Sequence, residues 1–165
     1  MKAGLGERGE IRAETAEDTR AFGERLGGLL EAGDVVILDG PLGAGKTTMT
    51  QGLARGMGVR GRVTSPTFTI AREHRATEPG APGLIHVDAY RLLGDGGGDP
   101  VGALDSLDLE SRLDEAAVVA EWGEGLVGQI AGTCLVVHLD RTTAVEEDPD
   151  SEARIISWRW EGNDA

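Results

Sequence analysis

The run Val35-Val36-Ile37-Leu38-Asp39, followed without a break by Gly40-Pro41-Leu42-Gly43-Ala44-Gly45-Lys46-Thr47, is the feature that most restricts how this chain can fold. A continuous apolar run bounded by glycine marks a strand buried on both faces of a parallel sheet. The segment after it has the spacing G-x-x-x-x-G-K-[ST], whose glycines let successive backbone N–H groups turn inward around an anion while the next helix adds the positive end of its dipole. A helix is expected from Thr47 to Met57, weakened by Gly52 and Gly56 and capped by Gly58. Strand, glycine loop and helix in that order predict an α/β fold. The expected architecture is a P-loop NTPase-like, mostly parallel sheet with helices on both faces and antiparallel edge strands.

The remaining segments fit that frame. Residues 1–9 are polar and Gly-rich and read as a disordered start, 10–160 as a single P-loop ATPase domain, and 161–165 as a disordered tail. Ile11 to Glu14 predicts a short first strand. Thr15 caps a helix with Glu17 and Asp18 in its first turn and Phe22, Leu26, Leu29 and Leu30 at helical spacing, ended by Gly33. Further strands are expected over Phe68–Arg72, Leu84–Asp88, Ala116–Ala120 and Cys134–Leu139. Leu104 to Leu113 suggests short helical pieces, Thr142 to Glu152 an acidic loop, and Ala153 to Trp160 a last antiparallel edge strand. There is no internal repeat.

Composition narrows function. With 165 residues the chain can bury roughly two thirds of its unfolded surface, enough for one sheet and its helices. Its 29 acidic and 16 basic residues give a formal charge of −13, which opposes docking on a phosphate backbone, so any role with nucleic acid is expected to be indirect. The single Cys134 precedes the apolar Leu135-Val136-Val137, excludes an intramolecular disulfide and reads as a buried thiol suited to a reducing compartment. Neither a leader peptide nor a membrane-spanning run is evident, so a cytoplasmic protein is expected. Only Lys2 and Lys46 are lysine against 14 arginines; a lysine that survives such a bias marks a place where a slender ammonium on a flexible stem is needed.

Within the loop each residue type has a task. Lys46 would reach the β and γ phosphates, the Thr47 hydroxyl would bind Mg²⁺, and Thr48 would hydrogen-bond the α phosphate. A second acid must help hold the metal, and four expected strands end in one: Asp39, Asp88, Glu121 and Asp140. Asp39 is better read as a half-satisfied or capping aspartate and Asp140 as a turn residue. Asp88 and Glu121 each follow an apolar strand, and spacing alone does not choose between them. His86 reads as a packed strand histidine, and Trp122 as either core or a wall of the nucleotide site.

On these residues the chain resembles the TsaE (YjeE) family of bacterial P-loop ATPases required for threonylcarbamoyl modification of adenosine 37 in tRNA. The resemblance rests on the loop from Gly40 to Thr48, on Ser65-Pro66-Thr67-Phe68, on His86-Val87-Asp88-Ala89-Tyr90-Arg91 and on Glu121-Trp122, in the family's order. It implies that Thr47 and Glu121 lie at the magnesium, with Asp88 close to the γ-phosphate side and sharing the metal and water-positioning work. It implies that Ser65 and Thr67 belong to a loop responsive to nucleotide state. Thr15 is carried over as a residue near the adenine. The chain departs from the family at Pro41, where aspartate is usual, and in the Gly-rich stretch Gly94 to Gly102.

The catalytic set expected from residues and resemblance together is Lys46, Asp88 and Glu121. The expected nucleotide contacts are Thr15, Pro41, Leu42, Gly43, Ala44, Gly45, Lys46, Thr47, Thr48, Ser65, Thr67 and Trp122. The resemblance further implies ATP and Mg²⁺ as ligands, TsaD and TsaB as protein partners, and tRNA only through them, with threonylcarbamoyl transfer left to TsaD. The main rival is a P-loop small-molecule kinase with Arg72, Arg75 and Arg91 as lid arginines, although no acceptor-binding cluster is evident. A GTPase would need an Asn-Lys-x-Asp segment, and the only asparagine is Asn163.

Overall fold

The computed structural model describes Gly6 and residues 8–40, 45–59, 71–88, 114–121 and 133–162. Ten elements follow in chain order: β1 (Arg8–Ala13), α1 (Ala16–Gly27), β2 (Val35–Asp39), α2 (Lys46–Met57), β3 (Ala71–His74), β4 (Gly83–Asp88), β5 (Ala116–Glu121), β6 (Thr133–Asp140), α3 (Thr142–Glu147) and β7 (Arg154–Gly162). The strands form one seven-stranded sheet in the order β1-β7-β6-β2-β5-β4-β3. β2 lies parallel between β5 and β6, and β4 is parallel to β5. Antiparallel pairs flank this centre, β3 on β4 at one side and β6 on β7 on β1 at the other. The expected α/β class with a parallel centre and antiparallel borders is therefore the fold observed.

The central strands are apolar because water reaches neither of their faces. Alternate residues Val36, Leu38, Val119, Leu135 and Val137 join Phe22 and Leu26 of α1 and Met49 and Leu53 of α2 in one core. Ile37, Ile85, Val118 and Val136, pointing the other way, are buried as well. At about 25 cal/mol per Å² each such side chain contributes on the order of 2 kcal/mol.

Gly52 and Gly56 do more in α2 than weaken it. A Cβ at Gly52 would collide with the Arg20 carbonyl oxygen and one at Gly56 with that of Glu24; Gly23 and Gly27 of α1 meet the carbonyls of Met49 and Leu53 in the same way. Two helices can approach backbone to backbone only where side chains are missing, so the loss of helix propensity is offset by close contact between α1 and the helix that follows the glycine loop.

Several boundaries differ from those the sequence predicts. α1 stops at Gly27 rather than Gly33, because Gly28 caps it and the next two amides bond three residues back, Leu29 to Leu26 and Leu30 to Gly27. Gly33, with φ 93°, instead turns the chain into β2 and donates its N–H to the Ala116 carbonyl. β1 starts at Arg8, within the stretch expected to be disordered, because residues 8–13 pair with β7 along their whole length. For the same reason β7 is an interior strand and not an edge. The acidic stretch after Asp140 opens with the helix α3, whose Ala144 is buried. The expected strand start at Phe68 and the helical pieces of Leu104 to Leu113 lie outside the described residues, as do 163–165 of the tail expected over 161–165, whereas Glu161 and Gly162 are ordered in β7 by pairing with Cys134 and Thr133 of β6. Among the described residues no helix is long and apolar enough to cross a membrane.

Candidate nucleotide and metal site

Parallel strands deliver their carboxyl ends to one edge of the sheet, and a crevice there is the usual ligand position in such folds. β2 ends at this edge in Asp39, followed by buried Gly40. Pro41, Leu42, Gly43 and Ala44 lie outside the described residues; the chain is described again at Gly45, in the left-handed conformation with φ 105°, and enters α2 at Lys46. A residue with a Cβ is strained at that φ, so the second glycine of the spacing serves the turn itself.

The two helix N-termini near this edge are built differently. α1 is self-capped: Thr15 Oγ1 accepts from the Asp18 N–H at 3.2 Å and Asp18 Oδ2 accepts from the Thr15 N–H at 3.3 Å, with Glu17 also in the first turn. α2 has a glycine at its cap, no side-chain cap and no acid in its first turn. Its positive end is therefore the one suited to an external anion. Thr15, expected near the adenine, has its hydroxyl engaged in this cap. One turn on, Thr19 is 1% exposed, its Oγ1 has no partner among the described residues, and its Cγ2 would lie 3.7 Å from a Cβ placed on Gly45. Sequence reading passed over Thr19, because a threonine in a helix looks the same whether it faces water or the loop.

Lys46 is 6% exposed, and its Nζ donates to the Gly40 carbonyl oxygen at 2.8 Å. The ammonium thus folds back over the start of its own loop, which keeps it beside the backbone that would cradle phosphates. Thr47 and Thr48 follow on the first turn of α2, both half-buried.

Of the four candidate acids, two are accounted for by neighbours. Asp39 Oδ2 lies 2.9 Å from His138 Nδ1 on the adjoining β6. Asp140 accepts from the Thr143 hydroxyl at 2.6 Å and from the Thr143 N–H at 3.3 Å, which holds its carboxyl below the usual aspartate range. Glu121 is different. It ends β5 in register with Leu38 of β2 on one side and Asp88 of β4 on the other, and it is 5% exposed. Its Oε1 is 3.2 Å from His86 Nε2, within a pair that is almost wholly buried. Among the described residues His86 is its one side-chain partner, and a carboxylate so enclosed needs hydrogen bonds or a cation to offset the loss of water. Alternation along β5 aims Glu121 to the same side as Val119 and Leu38, the side on which α2 packs. Asp88 is placed beside it by backbone register. Ser65, Thr67 and Trp122 lie outside the described residues.

The residues present fit a hard divalent cation held by few protein oxygens. Among the described residues no group of three His, Cys, Asp or Glu could cage a metal. Mg²⁺ in nucleotide sites characteristically takes one or two protein oxygens and completes its shell with water and phosphate.

Known proteins resemble this chain along most of its length. A family model described as threonylcarbamoyl adenosine biosynthesis protein TsaE matches residues 13–150. A relative from Mycobacterium tuberculosis (strain ATCC 25618 / H37Rv), named tRNA threonylcarbamoyladenosine biosynthesis protein TsaE, is 48% identical over 159 residues, covering 96% of this chain and 91% of the relative. A protein of the same name from Streptomyces coelicolor is 50% identical over 129 residues, 78% of this chain and 83% of that one. The crystal structure of Bacillus subtilus YdiB superimposes with a TM-score of 0.66 at 28% identity, covering 94% of this chain and 87% of the other. A family match over most of the sequence, together with close relatives along nearly its whole length, shows that the chain belongs to the TsaE family of tRNA threonylcarbamoyladenosine biosynthesis.

Proposed function

We propose that this protein binds Mg-ATP in the loop between β2 and α2 and hydrolyses it as an accessory to formation of the threonylcarbamoyl group on adenosine 37 of tRNA. The single observation that carries the ATP reading is the placement at one sheet edge of Lys46, buried and bonded to the Gly40 carbonyl after β2, and of Glu121, buried at the end of the adjacent strand β5. Lys46 and the amides at the head of α2 stabilise charge that develops on the transferred phosphoryl group. Thr47 and Glu121 hold the cation, with Asp88 beside them, and one of the two acids orients the attacking water. Magnesium supplies charge neutralisation on the phosphate oxygens.

The transfer chemistry itself belongs to the partners in this reading, TsaD held with TsaB, and the protein works in the cytoplasm. The charge of −13 supports an indirect relation to tRNA, since a chain that grips RNA by its backbone presents a basic face. ATP turnover by the wild type and by Lys46→Ala, alone and with the TsaB–TsaD complex, tests the proposal. The variant is expected to lose at least about tenfold in turnover, each factor of ten being about 1.4 kcal/mol of barrier. Wild-type turnover in the variant overturns the assignment of the phosphate site, and unchanged cycling of TsaB–TsaD without this protein overturns the accessory role.

A further inference from the structure

The histidine on β4 is not simply core filling. His86 is fully buried, and of its two ring nitrogens Nε2 lies 3.2 Å from Glu121 Oε1 while Nδ1 has no hydrogen-bond partner among the described residues. A carboxylate oxygen can only accept. If Nε2 carried a lone pair, two acceptors would face each other in a site without water, and an N–H on Nδ1 would be buried without a partner. Orphaned donors of that kind are rarer and costlier than orphaned acceptors. The ring nitrogen that faces Glu121, Nε2, therefore carries a proton and donates it.

The consequence concerns the free oxygen. Backbone pairing to β2 and β4 fixes the Glu121 main chain, but its side chain has three further torsions, and β-sheet register does nothing to hold them. His86 sits two residues before Asp88 on the neighbouring strand, diagonal to Glu121 on the same face, where a ring of its length reaches the carboxylate. With Oε1 tied there, Oε2 is left as the oxygen available to the phosphate edge. We infer that His86 is a positioning residue for the cation, which acts through Glu121 by selecting and orienting the liganding oxygen. This rests on the reading of Glu121 as a metal ligand given above. It makes the histidine a hydrogen-bonding support behind the ligand, of the kind that binds tightly enough to matter for metal affinity.

The test uses the full-length protein complexed with ADP, with Mn²⁺ as a spectroscopic substitute for Mg²⁺ and its affinity read by electron paramagnetic resonance. ADP affinity in excess chelator and thermal stability are measured alongside. His86→Phe keeps a ring but no donor, His86→Gln places an amide N–H near the position of Nε2, and His86→Asn stops short of Glu121. His86→Phe and His86→Asn are expected to weaken Mn²⁺ binding by about 10–100-fold, as loss of such a support does elsewhere, with His86→Gln restoring most of it. ADP affinity without metal should stay within about twofold, since nothing in the inference links His86 to the phosphates directly; the same small limit follows from additivity between separate sites. A purely structural histidine would lower stability in all three variants and leave Mn²⁺ affinity alone. Should His86→Phe fail to fold, the contrast between glutamine and asparagine decides: equal Mn²⁺ affinities in the two overturn the inference. Glu121→Gln is the control that separates the two layers. If it weakens Mn²⁺ binding and the histidine variants do not, the positioning role is overturned; if it has no effect, the assignment of Glu121 as a ligand is what fails.

Discussion

The Asp39 carboxylate and His138 Nδ1 lie 2.9 Å apart across β2 and β6, one residue before the glycine loop begins. Both side chains are part-exposed, so the pair is worth at most about 1 kcal/mol. Asp39→Asn is therefore expected to lower stability by less than about 1 kcal/mol and to leave the Mg²⁺ dependence of nucleotide binding unchanged. Denaturant unfolding and nucleotide titrations across magnesium concentrations check both halves. A large loss of metal dependence would mean that Asp39, and not Glu121, carries the ligand role.

The close approach of α1 and α2 predicts an inverted outcome for a helix-favouring change. Gly52→Ala raises helix propensity by roughly 1 kcal/mol, yet its methyl meets the Arg20 carbonyl oxygen, a backbone atom that cannot turn aside. The net effect is expected to be destabilisation by about 1–3 kcal/mol in chemical denaturation, with some loss of nucleotide affinity because α2 carries Lys46 and Thr47. Gly28→Ala, at a C-cap of ordinary right-handed conformation with nothing nearer than 3.5 Å, should be close to neutral and serves as the comparison.

Asp140 gives the acid limb of the stability curve a specific contributor. The Thr143 hydroxyl, then the backbone N–H groups of Thr143 and Thr142, favour the ionised carboxylate against a smaller cost of burial, so its pKa falls below the ordinary 3.8. The folded protein thus keeps Asp140 ionised at pH values where the unfolded chain has taken up a proton. The contribution is complete above 3.8 and is lost as pH falls through the lower folded value. The stability difference between wild type and Asp140→Asn should accordingly shrink at the acid end of a pH series of unfolding curves. A difference that grows on acidification would show that the hydrogen bonds favour the protonated acid.

Cys134 is 3% exposed at the start of β6, and it is the only thiol. Buried in apolar surroundings it should react with a thiol reagent only through opening of the sheet, so labelling rates in native buffer should follow unfolding free energy across the variants above. Rapid labelling of the native protein would indicate that β6 and β7 separate locally.

How much of this was written in the sequence follows from how local each cause is. The apolar run of β2, the glycine loop and the helix after it were legible because each needs only neighbouring residues: burial on both faces, positive φ at Gly45, and a helix whose first turn carries Lys46 and Thr47. The turn role of Asp140 was legible for the same reason, its partner being three residues away. The start of β1 and the interior place of β7 were not, because each is set by pairing with residues far along the chain, and the end of α1 was not, because Gly28 caps it in an ordinary right-handed conformation that no residue type marks. Gly52 and Gly56 looked like defects until α1 was seen against them. Of the four acids at strand ends, local reading set Asp39 aside as a capping aspartate and Asp140 as a turn residue, and left Asp88 and Glu121 open. The tertiary structure supplied the partners, giving Asp39 to His138 and Asp140 to Thr143 and enclosing Glu121 at the sheet edge, where among the described residues His86 is its one side-chain partner. Local chemistry determines what a segment can do. Which carboxylate is left in need of a cation depends on burial and on partners from other strands, and no one-dimensional pattern carries those.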